Sequence, residues 1–196
     1  MNFATLLNLP EQRSTLALGG LLRRRCRMTS NTDEFVSLGI DPAASRASFV
    51  ALCGEDYAIF DYPKLGKSGA VACAAGYEAA SEVVESIVSR WIGADFAAHI
   101  ESPIVGRGGV RATMVQCWTA GAILAALHQH KIEVGLANVS SWKKSVVGHG
   151  RATKEEVASF VELRWPALHA EAAGSQDVFD ATCIAHFGRI ASKRMG

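Results

Sequence analysis

No CxxC pair occurs anywhere in the 196-residue chain. Its five cysteines (Cys26, Cys53, Cys73, Cys117 and Cys183) are scattered, which argues against a zinc site or a thiol–disulfide motif. An odd, dispersed set suits reduced thiols in a cytoplasmic protein, most of them core filler. No apolar stretch approaches the roughly 20 residues that span a bilayer, so no membrane segment is expected. Internal repeats and low-complexity tracts are absent as well. Charged residues make up only 20%, but beside 49% hydrophobic residues that is a globular composition, not a disordered one. Net charge is close to zero, at +1, and hides an uneven distribution. Residues 1–28 hold Arg13, Arg23, Arg24, Arg25 and Arg27 against one acid, Glu11, about +4 by count; the remainder is left at about −3. Such a body has no global field for a polyanion, so nucleic acid would have to be met by a local patch.

Residues 1–33 read as an appendage. The apolar run in "LALGGLLRRRCRM" precedes its arginines, the reverse of a secretory signal's charge order. A disordered basic tail, or a start codon upstream of a natural one at Met28, fits better than an organelle transit peptide, though organellar import stays open. The folded domain is expected over 34–196.

From Glu34 the pattern becomes regular. "FVSLGID" reads as a buried strand ended by Pro42; "ASFVALCG" and "YAIFDYP" follow as two short strands with a turn signal at Gly54–Asp56. Tight connections imply an antiparallel meander. "KLGKSGAVACAAG" reads as a loop. "YEAASEVVESIVSRWIG" sets Val83, Val84, Ile87, Val88 and Trp91 on one side, an amphipathic helix ending at Gly93. A fourth strand, "FAAHIES", precedes a Gly-rich loop and the long, mostly apolar helix "RATMVQCWTAGAILAALHQH". "KIEVGLA" is a fifth strand and "VSSWKKSVVGHGRA" a basic connection. "TKEEVASFVELRWP" is a helix that Thr153 caps, with Glu155 and Glu156 in its first turn and Pro166 at its end. A polar loop up to Ser175 leads to the last helix, "QDVFDATCIAHFGRIA". The order β-β-β-α-β-α-β-α-α predicts an α/β fold: a mixed five-stranded sheet, three antiparallel strands and then parallel ones, with helices on both faces.

Asp41 and Glu101 are each the one acid at the end of an apolar strand. If those strands are parallel neighbours, both carboxylates emerge at one sheet edge, the usual place for a site. Asp177 and Asp180, at i and i+3 near the start of the last helix, share one helical face, while Val178, Cys183 and Ile184 are left for the core. Singly, each has a plain explanation as a turn residue or a helix N-terminal charge; the signal is their joint placement. Four converging carboxylates repel unless cations neutralise them. Hard oxygen donors without a nearby His or Cys suit Mg²⁺ or Mn²⁺. Two such ions roughly 4 Å apart form the clamp used in phosphoryl transfer, so the chemistry implied is metal-dependent phosphodiester hydrolysis.

Over roughly residues 35–192 the chain resembles the RuvC family of Holliday junction resolvases, of the RNase H-like superfold. "LGIDP" resembles the family's first motif and "IES" at 100–102 its second. "KKSVVGHGRATKEEV" at 143–157, the most specific segment, is similar to the family's Lys-containing stretch, and "QDVFDATCIAHFG" at 176–188 to its closing motif. The resemblance implies a homodimer that nicks two strands of like polarity at a four-way DNA junction in recombination and repair. It implies that Asp41, Glu101, Asp177 and Asp180 are the metal-binding acids, holding two Mg²⁺ per site with Mn²⁺ as a substitute. It also implies that Lys143 and Lys154 lie near the scissile phosphate, Lys154 as part of the catalytic set, and that the helix at 111–130 forms much of the dimer interface. Two departures stand out. Ala43 and Ala44 follow Asp41-Pro42 where the family usually has glycine, so that turn must avoid positive φ. After Glu101, Ile104 is the nearest apolar substitute for an aromatic that meets junction bases in the family.

Charge supports a DNA-facing patch independently. Lys143, Lys144, Arg151 and Lys154 occur with no acid between them, among glycines that let backbone N–H groups approach a phosphate; Arg107 and Arg111 flank a second Gly-rich loop. Trp142, beside them, is a candidate DNA contact as well as a core residue. Trp91, Trp118 and Trp165 read as core or interface anchors, and His128, His130 and His186 as non-ligands. Two other readings remain: an RNase H-like nuclease acting on RNA–DNA hybrids or other branched DNA, and a nucleotide-binding protein of the actin/sugar-kinase type. "DPAAS" lacks the glycine the latter needs.

Overall fold

The structure, a computed structural model, describes residues 35–66, 69–104 and 109–192. The basic leader, with Cys26, and Arg107 lie outside the described residues. The strands are β1 (Phe35–Pro42), β2 (Ala47–Cys53), β3 (Asp56–Tyr62), β4 (Asp95–Glu101) and β5 (Glu133–Ala137). The helices are α1 (Gly69–Arg90), α2 (Gly109–Gln129), α3 (Val139–Val146), α4 (Lys154–Arg164), α5 (Pro166–Glu171) and α6 (Gln176–Ser192). One sheet runs β3-β2-β1-β4-β5. β1–β2 and β2–β3 pair antiparallel, β1–β4 and β4–β5 parallel, which is the expected α/β architecture.

β1 lies at the centre and its alternation divides the molecule. Val36, Leu38 and Ile40 point into the layer shared with α1 and α2, where Phe49, Val83, Ile87, Ile100, Ile123 and Leu127 complete one core. Ser37, Gly39 and Asp41 face the other way, towards α6. That second core holds Val50, Leu52, Trp142, Val161, Leu168 and Ile184. β1's small residues set how closely α6 approaches. A Cβ on Gly39 would run into the Ala181 carbonyl and the Ala185 backbone, and Ser37 Oγ donates to the Ala185 carbonyl at 2.8 Å. α6 therefore rests on β1 backbone, and its first turn reaches the β1 end that carries Asp41.

Three expectations need correction. The Gly/Ala-rich stretch read as a loop forms the first two turns of α1. Its small residues are a packing surface, with Ala72 and Gly76 buried; a Cβ on Gly76 would lie 3.1 Å from Thr119 Cγ2 on α2. The basic connection contains α3, whose Asn138 caps it by accepting from the Ser140 N–H at 3.0 Å. Pro166 ends α4 but occupies the first turn of α5, where its missing N–H costs nothing. The capping box on α4 is as expected: Glu156 N–H donates to Thr153 Oγ1 and Thr153 N–H donates to the Glu156 carboxylate. The Ala43–Ala44 turn likewise avoids positive φ, which among described non-glycine residues occurs only at Lys131 and Ala173. By length and composition α2 could cross a bilayer; here Ile123, Ala126 and Leu127 are buried in the core.

Candidate active site

Parallel pairing of β1 and β4, with Ile40 opposite Ile100, puts Asp41 and Glu101 side by side at their carboxyl ends. The two side chains share a hydrogen bond. The Asp41 carboxyl is pushed well above the usual range, first by lost hydration and then by the charges of Glu101, Asp180 and Asp177. Asp180 is also raised, chiefly by burial, against the pull of Gln176, Lys143 and Lys154. Burial raises Glu101 too, opposed by the Asp41 hydrogen bond and Lys143. Asp41 on β1 thus feels the other three acids singled out in the sequence, Glu101 on β4 and Asp177 and Asp180 on α6.

Lys143 is held for this task. Its Nζ donates to the Ala152 carbonyl at 2.7 Å and lies 5.5 Å from the Trp142 ring centre, close enough to Glu101 and Asp180 to stabilise both carboxylates. Lys154, the first residue of α4, acts on Asp180 from the far side of the same turn. Lys144, Arg151 and Arg111 are exposed, as DNA contacts require, while Ile104 is 52% exposed beyond Glu101. Trp142 is not a DNA contact: it is fully buried, one of two tryptophans in the second core. Its indole N–H stabilises the Glu101 carboxylate electrostatically but makes no aligned hydrogen bond. The basic neighbours that suggested DNA are the exposed face of α3, and Trp142 is its buried one.

Three contacts went unread in the sequence. Arg46, on the β1–β2 turn, pairs through Nε with Asp177 Oδ2 at 2.8 Å. Gln176 donates to Asp180 Oδ1 at 2.8 Å, an i,i+4 pair legible once α6 begins at Gln176. Gln116 on α2 donates to the Pro42 carbonyl at 2.9 Å and anchors the end of β1.

The donor set suits a hard divalent cation: oxygen alone and mutually repelling. As the side chains stand, no three Asp, Glu, His or Cys groups among the described residues draw close enough to enclose an ion. Arg46 engages Asp177 and Gln176 engages Asp180, so the helix acids are held by neighbours of their own.

No family model matches the chain. A curated relative, crossover junction endodeoxyribonuclease RuvC of Ehrlichia canis (strain Jake), is 33% identical over 75 residues, which are 38% of this chain and 46% of that protein. The chain therefore aligns with about half the length of this relative. Among solved structures, T. thermophilus RuvC in complex with a Holliday junction substrate superposes with a TM-score of 0.65 at 20% identity, covering 81% of this chain and 95% of that one. A second Thermus thermophilus RuvC structure gives 0.61 at 19% identity, covering 81% and 96%. The fold is that of RuvC.

Proposed function

We propose that this chain is a structure-specific endonuclease that resolves four-way DNA junctions, a homodimer making paired, symmetrical nicks by metal-dependent phosphodiester hydrolysis. The observation that carries the reading is the placement of Glu101, Asp177 and Asp180, from β4 and α6, where all three push up the carboxyl of Asp41 at the end of β1. The curated relative and the junction-bound Thermus protein support the substrate. The four acids would hold the cation, Mg²⁺ with Mn²⁺ as a substitute and two ions per site. When bound, it would polarise the phosphate and lower the pKa of attacking water.

The chain's own groups do the rest. Lys143 and Lys154 stand against the acids, where they balance part of the carboxylate charge and meet the incoming phosphate. Lys144, Arg151 and Arg111, with Arg107, give exposed phosphate contacts that position a duplex arm without reading its sequence. Enclosure of Asp41 and Glu101 keeps the dielectric low where charge builds up.

A synthetic four-way junction, with a linear duplex and an RNA–DNA hybrid as controls, tests the reading. Mg²⁺-dependent, paired nicks in the junction alone are expected. Cutting of the hybrid would move the protein to general RNase H-like nucleases; no cutting of any substrate with Mg²⁺ or Mn²⁺ would refute it.

A further inference from the structure

Among the described residues, Arg46 is the one cation in an ion pair with a candidate ligand of the site, and no role falls to it in the hydrolysis described above. It lies on a turn that is already fixed without it. Ala43 N–H donates to the Arg46 carbonyl at 2.9 Å, and the Leu65 N–H ties the Ser45 carbonyl to the segment after β3 at 2.6 Å. The side chain is 54% exposed and Asp177 24%, so the pair sits at the mouth of the site. Ion pairs of that exposure contribute little to stability. Such a contact is too weak to be a structural tie, and weak enough to be exchanged for a divalent cation.

We propose that Arg46 is a stand-in cation: it holds the Asp177 carboxylate while the site is without metal, yields it when a divalent ion binds, and then turns its guanidinium to a phosphate of the DNA. This rests on the metal-dependent reading above. The geometry favours exchange over a permanent three-way contact. The pair is made through Arg46 Nε to Asp177 Oδ2, on the helix face shared with Asp180, and Asp177 also acts on Asp41. A cation drawn to Asp41 would therefore meet the Arg46 charge as a repulsive neighbour. A guanidinium suits the second role, since it is always charged and its fork of five donors fits phosphate oxygens.

The test separates binding of metal from cutting of DNA. Mn²⁺ is titrated calorimetrically into the DNA-free protein and into Arg46→Ala, Arg46→Gln and Lys144→Ala, the last removing one charge outside the ion pair. Loss of the competitor should tighten Mn²⁺ binding in both Arg46 variants by about 3–10-fold, and by under about 2-fold in Lys144→Ala. Unchanged or weaker binding in the Arg46 variants overturns the exchange. So does an equal gain in Lys144→Ala, which would mark a general field effect. Wild-type protein that binds no Mn²⁺ fails earlier and takes the metal-dependent reading with it. The DNA half is read from the salt dependence of junction affinity. Arg46→Ala should lower the slope by about one with Ca²⁺ present and leave it unchanged in chelator. Equal slopes in Ca²⁺, or a loss in chelator as well, overturn that half.

Discussion

At the residue scale, Asp41 contributes opposite effects to stability and to function. Its carboxyl is raised by burial and by three neighbouring acids. Above that raised value the folded protein carries a carboxylate that costs more than the same group costs in the unfolded chain. The penalty is full above the raised value and is gone below the ordinary carboxylate range. Metal-free protein should therefore gain stability as pH falls from neutral through the raised range, until other carboxylates begin to protonate. Asp41→Asn keeps the shape, removes the charge and should raise the melting temperature of metal-free protein at pH 7; each kcal/mol is worth about 2–4 °C at this size. The same substitution should lower junction cutting by about 10²–10³-fold or more while junction affinity survives, because the acids serve chemistry more than docking. A melting temperature that fell would show that the site is not held against repulsion. Loss of junction binding by a folded variant would refute the division of roles.

The lysines separate by the same logic. Lys143 faces Glu101 and Asp180 with its Nζ fixed on the Ala152 carbonyl, whereas Lys154 acts on Asp180 from the exposed start of α4. Lys143→Ala should flatten the salt dependence of junction binding by about one phosphate contact. Lys154→Ala should lower turnover with a modest loss of affinity. Single-turnover rates and filter-binding titrations over a salt series check both; unchanged kinetics in Lys154→Ala would remove that residue from the site.

At the element scale, the site depends on how α6 sits on β1. Gly39 leaves no room for a methyl group against the α6 backbone at Ala181 and Ala185. Gly39→Ala must push the helix, and Asp177 and Asp180 with it, away from Asp41. A loss of about 3 kcal/mol or more in urea unfolding is expected, with cutting impaired even under conditions where the protein stays folded. A near-neutral effect would mean that α6 is free to shift.

What the sequence discloses, and what it hides, follows the same division. Strand-end acids are legible because a lone carboxylate interrupts a period-2 apolar run, and Asp177 with Asp180 because i,i+3 defines a helix face. α4 was legible from its cap. α3 was not: only Trp142 is buried in eight residues, so its surface cations hide its period. α1's first turns were misread because small residues mark both loops and close helix contacts, and only the partner α2 decides between them. Arg46 was beyond reach for another reason. Its partner lies far along the chain, and nothing local to either residue announces a pair that packing creates.

At the scale of the whole molecule, α2 presents an apolar stripe on its exposed side. α2 buries Thr119, Ala120, Ile123, Ala126 and Leu127 but leaves Val110 67%, Met114 48% and Trp118 50% exposed. These recur at i, i+4 and i+8, so they form one apolar stripe along one side of the helix. Exposed Cys117, Gly121 and Ala125 extend it without adding charge. Paired nicks at a junction need two sites in fixed relation, and the α2 stripe, meeting its copy across a twofold axis, would supply that relation. Light scattering should give twice the chain mass for the protein. Trp118→Glu, at a half-exposed position whose ring lies over Gly69 of α1, should give the monomer mass and leave the circular dichroism unchanged. Cutting should then become uncoupled, with single nicks accumulating where the dimer leaves resolved duplexes. A Trp118→Glu protein that remains dimeric would move the interface away from α2, and wild-type protein that runs as a monomer would leave paired nicking without a structural basis.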